Sequence, residues 1–73
     1  MSQDNKGGKI VMGTVLESLP NTTFRVESDE GGKIILAYVS GKMRKFRIKI
    51  LIGDRVEVVT DNLQEKGRIT RRF

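Results

Sequence analysis

The chain has 73 residues and a net charge of +5, from 14 Lys/Arg against 9 Asp/Glu, and contains neither Cys nor His. It is one small domain that buries only about 60% of its unfolded surface, and with no disulfide or zinc staple it must hold by packing alone. The lack of imidazole and thiol also removes the usual side-chain base near neutral pH, the reactive thiolate and the common transition-metal ligands.

Residues 1–8 are polar, hold two glycines and offer Met1 alone as an apolar residue, so they read as a disordered arm ahead of a folded domain over 9–73. No signal peptide and no run of about 18 apolar residues is found, which predicts a soluble, cytoplasmic protein. Lys9 to Ser18 reads as a first strand. Ile10 and Met12 share one face, Gly13 interrupts, and Val15 takes the opposite parity. A glycine at such a phase change predicts a bulge that lets one long strand bend and serve two edges of a barrel; an ordinary strand with an incidental glycine fits the same residues.

Leu19-Pro20-Asn21-Thr22 is a turn, because Pro presets φ and Asn tolerates tight backbone conformations. Thr23 to Ser28 is a second strand with Phe24 and Val26 inward and Arg25 and Glu27 outward. Asp29-Glu30-Gly31-Gly32 closes a hairpin onto a third strand, Lys33 to Val39. Ile35, Ala37 and Val39 suit its core face, leaving Ile34, Leu36 and Tyr38 outward beside Arg25. An exposed Tyr near an Arg is a candidate base-stacking platform; a Tyr lying flat over the barrel wall is the plainer reading.

Five of the eight residues from Lys42 to Lys49 are Lys or Arg, and none is acidic. Met43, Phe46 and Ile50 are spaced as on one helical face, and Ser40 suits a helix cap. The spacing therefore predicts a short helix from Gly41 to Phe46, pinned by Met43 and Phe46. Lys42, Arg44, Lys45, Arg47 and Lys49 are then left in solvent, where clustered cations attract phosphate and release its counterions. A charge run is also consistent with a merely solvated face.

Leu51-Ile52-Gly53-Asp54 is a turn, and Arg55 to Thr60 is a fourth strand with Val56 and Val58 inward. A polar loop from Asp61 to Lys66 leads to a last strand, Gly67 to Arg72, with Ile69 inward and Arg68, Thr70 and Arg72 outward. Five strands with a small helix between the third and fourth describe an all-β OB-fold, a Greek-key barrel whose second and third strands commonly bind nucleic acid. Residues 1–39 carry four Lys/Arg against five Asp/Glu, whereas residues 40–73 carry ten against four. That asymmetry points to a polyanion touched mainly by the C-terminal half.

Enzymatic chemistry finds no support. Gly8-Lys9, Gly32-Lys33 and Gly41-Lys42 lack the upstream glycine of a phosphate-binding loop and are followed by Ile10, Ile34 and Met43 rather than Ser or Thr. The carboxylates are scattered, and no cofactor is expected.

Four stretches, in order and spacing, resemble the bacterial translation initiation factor 1 family: Gly13 to Val26 with its Leu-Pro-Asn-Thr turn, Ser40-Gly41-Lys42-Met43-Arg44-Lys45, Ile50-Leu51-Ile52-Gly53-Asp54, and Lys66-Gly67-Arg68-Ile69. The resemblance covers residues 10–72. It implies an OB-fold that binds the small ribosomal subunit at its aminoacyl-tRNA site, touching decoding-region rRNA and neighbouring ribosomal protein and acting with the other bacterial initiation factors. By the motif match, Lys42, Arg44 and Lys45 would make the family's basic-helix contacts, and Arg68 and Arg72 those of the last strand. With Arg47, Lys49, Arg25 and Tyr38 these form the expected RNA-binding set of a monomeric protein with no metal site and no membrane role. Two departures stand out. Residues 60–65 replace the family's Pro-Tyr-Asp-like turn with one extra residue, and Arg71 stands where the family tends to have an aromatic. A cold-shock type single-strand binder and a small structural ribosomal protein are the competing readings. The first would need several exposed rings, and Phe24 and Phe46 both read as buried.

Overall fold

In a computed structural model the described residues are 9–61, 63 and 65–73. The arm expected over residues 1–8 therefore lies outside them, as do Asn62 and Gln64 of the 61–65 loop. The elements run β1 (Lys9–Leu19), β2 (Thr23–Ser28), β3 (Ile34–Val39), α1 (Gly41–Lys45), β4 (Arg55–Thr60) and β5 (Lys66–Arg72). The strands close into a barrel in the order β1-β2-β3-β5-β4. Only the β3–β5 pair is parallel, across the α1 crossover; the other four pairs are antiparallel. This is the five-stranded OB-type barrel expected from the sequence.

Strict alternation builds the core. Phe24 and Val26 of β2, Ile35, Ala37 and Val39 of β3, Val56 and Val58 of β4 and Ile69 of β5 are all buried. Their neighbours Ile34, Leu36 and Tyr38 stand on the outer face, as a period of two requires.

The first strand departs from expectation. Val11, Gly13 and Val15 all face the core, while Ile10 is 63% exposed. The bulge falls instead at Leu16, between the pairs Val15↔Val26 and Glu17↔Arg25. Gly13 has a different task. A Cβ there would lie 2.6 Å from Val26 Cγ1 and 2.7 Å from the Glu27 carbonyl oxygen, so its missing side chain permits close approach of β1 and β2.

A second bulge sits on β5. Val58 pairs Ile69 but Glu57 pairs Arg71, leaving Thr70 as the extra residue. Its hydroxyl donates to the Glu57 carboxylate at 3.1 Å. The phase of the strand is thereby shifted. Arg71 takes the outer face opposite Glu57, and Arg72 pairs Val56 on the inward parity rather than that of Arg68, while its side chain, at the barrel end, is exposed as expected.

Candidate nucleic-acid interface

The cationic segment is positioned from both ends of α1. Ser40 has an extended backbone (φ −64°, ψ 157°), and its Oγ accepts from the Met43 amide at 3.2 Å. Its own amide donates to the Ile69 carbonyl, tying the helix start to β5. Met43 is 3% exposed and anchors the single turn. At the far end the Arg47 amide donates to the Arg44 carbonyl and the Ile48 amide to the Met43 carbonyl. That pair of bonds is the Schellman helix stop, which needs a left-handed residue in between. The residue is Arg47, at φ 56°, where helices usually place glycine.

The reversal at Arg47 explains the one expected anchor that fails. Phe46 is not a core residue; it is the helix C-cap and is 63% exposed. The three-and-four spacing that put it on the Met43 face holds only while the helix continues, and α1 stops at Lys45. Ile50, beyond the reversal, does return to the core.

Lys42, Arg44, Lys45, Arg47 and Lys49 are all exposed. The carboxylate ion pairs among the described residues engage Lys9, Arg25, Arg55 and Arg72 instead. The five segment cations thus face solvent without a carboxylate partner among the described residues. Arg44 also donates from one guanidinium nitrogen to the Val39 carbonyl at 3.2 Å, which ties its side chain to the end of β3. Beside the segment opens a groove of about 340 Å³ whose apolar lining comes from Phe24, Val39, Ile48 and Ile50. Arg44, Arg47 and Lys49 border it, and Thr22 completes the wall. Thr22 is itself left-handed at φ 54°. Two strained non-glycine residues on one groove are the pattern expected of a functional site.

The remaining expected site residues divide. Tyr38 is 48% exposed on the outer sheet face, in direct register with Arg68 of β5 and Thr23 of β2. Arg25 lies diagonally from Tyr38, opposite Leu36, and its guanidinium is held by Glu17 at 3.1 Å. Arg72 turns to the barrel end, where it meets the Lys49 carbonyl and Asp54. The structure therefore leaves the five contiguous cations of the segment exposed and sets Tyr38 in register with Arg68 on the outer face of the sheet. Sequence spacing concealed the exposure of Phe46: the left-handed stop falls on Arg47 rather than on a glycine, so no local signal marks the end of α1.

A model of the translation initiation factor 1A / IF-1 family matches residues 2–73. The chain belongs to that family. Among solved structures, the translation initiation factor of the same family from the Wolbachia endosymbiont strain TRS of Brugia malayi is 40% identical, with a TM-score of 0.75, over 97% of this chain and 84% of that one. YjeQ from Thermotoga maritima is 34% identical with a TM-score of 0.73, covering 89% of this chain. This IF-1 family chain spans only 23% of YjeQ's length. YloQ, a circularly permuted GTPase, shares the fold at 20% identity, with a TM-score of 0.75 over 25% of its own length. Among the described residues no helix is long and apolar enough to cross a membrane, and no group of three or more His, Cys, Asp or Glu side chains could hold a metal.

Proposed function

We propose that this IF-1 family chain binds the aminoacyl-tRNA site of the small ribosomal subunit through rRNA, in contact with neighbouring ribosomal protein. It acts there as a monomer alongside the other bacterial initiation factors, in the cytoplasm and without catalysing a reaction. The observation that carries this reading is the 42–49 segment: five exposed cations without carboxylate partners among the described residues, held rigidly by a capped helix turn and a left-handed stop. A preset cationic edge suits a folded RNA recognised by shape and backbone. Lys42, Arg44, Lys45, Arg47 and Lys49 supply phosphate contacts, and Tyr38 with Arg68 supplies a second point of contact on the sheet face. Arg25 contributes less, because Glu17 already neutralises it.

A cold-shock type binder is disfavoured by the placement of its rings. Tyr38, Phe46 and Phe73 are exposed, but on the sheet face, the helix end and the chain terminus, so no continuous stacking platform forms. Chemical footprinting of small-subunit rRNA with and without the protein tests the proposal. Protection concentrated in the decoding region is expected. Equal affinity for subunits and for an unstructured oligonucleotide would instead favour general single-strand binding, and persistence on salt-washed ribosomes would favour a structural ribosomal protein.

A further inference from the structure

The exit of the cationic segment is built as carefully as its entry. After Lys49 the chain buries Ile50 and turns through Leu51 to Asp54, with Gly53 at φ 95°. The Asp54 carboxylate accepts from the Leu51 amide at 2.8 Å, and the Asp54 amide donates back to the Leu51 carbonyl at 3.0 Å. The turn is held to β1 by reciprocal bonds: the Gly53 amide to the Val15 carbonyl and the Val15 amide to the Asp54 carbonyl. Into this arrangement reaches Arg72. Its Nη1 donates to the Lys49 carbonyl at 2.9 Å and lies 3.8 Å from the same Asp54 oxygen that caps Leu51. The Thr70 bulge is what aims it there, by moving Arg72 onto the inward parity of β5.

We propose that Arg72 is a positioning residue: it clamps the Lys49 carbonyl and the Asp54 turn so that the 42–49 cations leave the barrel in a fixed direction, and it is not itself a phosphate contact. The clamp deepens the RNA-binding reading and rests on it. A guanidinium suits the task because it presents several donors in a rigid fork. The Lys49 carbonyl occupies one of those donors, and Asp54 offsets the charge that a phosphate would need.

Three measurements on Arg72→Gln, with Lys45→Gln as reference, test the clamp: salt-dependent binding to isolated small subunits, amide exchange at Leu51, and amide exchange at the core residue Val58. The clamp predicts about tenfold weaker binding, the scale of one charge-assisted hydrogen bond. It also predicts an unchanged salt slope, with faster exchange at Leu51 and unchanged exchange at Val58. Lys45→Gln should instead flatten the slope by about 0.7–0.9 log units. A similarly flattened slope for Arg72→Gln, with Leu51 still protected, would show a phosphate contact and overturn the clamp. Equal acceleration at Leu51 and Val58 would reduce Arg72 to general barrel closure, and unchanged affinity despite a freed Leu51 would show that the turn directs nothing. Should Arg72→Gln fail to fold, Arg72→Lys passes through the same measurements. If the wild-type chain does not bind subunits, the functional reading fails, while Leu51 exchange still decides whether Arg72 holds the turn.

Discussion

The Ile48 amide donates to the Met43 carbonyl at 3.0 Å, and the chain closes that bond by holding Arg47 at φ 56°. A non-glycine residue in the left-handed region carries about 1–2 kcal/mol of strain, partly offset by the entropy a glycine would lose on folding. Arg47→Gly is therefore expected to raise stability by roughly 0.5–1 kcal/mol while weakening binding to small subunits. Denaturant midpoints and salt-dependent titrations check the two effects together. A variant less stable than the parent would show that the Arg47 side chain, not its backbone, holds the stop.

Charge and anchor should fail differently within the segment. Neutralising Lys42 and Lys45 is expected to flatten the salt dependence of binding by about 0.7–0.9 log units per lost contact. Its effect on stability should stay within about 0.5 kcal/mol, as for most surface changes. Met43→Ala removes a side chain that is 3% exposed and should destabilise by about 2–5 kcal/mol. Affinity and slope that survive the loss of both lysines would mark the run as a solvated face.

Phe46 gives a sharp contrast to Met43. As an exposed C-cap it should tolerate Phe46→Ala with little change in midpoint, where a buried ring would lose about 3–5 kcal/mol. If the ring stacks on a base, subunit affinity should fall by about 1–3 kcal/mol. A large drop in midpoint with unchanged affinity would place the ring in the core after all.

Two glycines should answer alanine in opposite ways. Gly13→Ala drives a Cβ to 2.7 Å from the Glu27 carbonyl oxygen, a backbone atom that cannot step aside, and should cost about 1–3 kcal/mol as overpacking. Gly41 has open space where its Cβ would be, so Gly41→Ala should stabilise the helix turn by about 0.5–1 kcal/mol. Thermal melts of both variants decide the matter, and a neutral Gly13→Ala would mean that β1 and β2 spread without penalty.

The Arg55 guanidinium meets both Asp29 oxygens, at 2.8 Å and 2.5 Å, and bonds Thr14 at 3.0 Å. The hydrogen bonds to Arg55 hold the Asp29 carboxyl below its ordinary 3.8. A depressed carboxyl contributes stability above its unfolded value and loses it as pH falls through the lower folded value. Stability should thus decline as pH drops below about 4, and Asp29→Asn should remove that part of the decline. Acid titrations of the unfolding midpoint compare the two; parallel curves would show that the pair carries no pH dependence.

Much of the barrel was legible because β alternation is local. The inward sets Phe24/Val26, Ile35/Ala37/Val39 and Val56/Val58 repeat every second residue, and a strand with one buried face leaves no other register. Ser40 was equally legible, since a cap reaches only three residues ahead. What the chain could not declare by itself was wherever phase depends on a partner. The bulges lie at Leu16 and Thr70 because the facing strands are offset there. The Thr70 shift, invisible in the spacing of β5, puts Arg72 on the parity from which it reaches the Lys49 carbonyl, and the role of Gly13 in close packing shows only once β2 lies against it. Likewise the sequence placed the cations in one run, but only folding brought Glu17 to Arg25 and Asp54 to Arg72 and left the 42–49 cations facing solvent. Ion pairs join residues distant in sequence, so which charges remain available to a partner is settled by the closed barrel, not by their order along the chain.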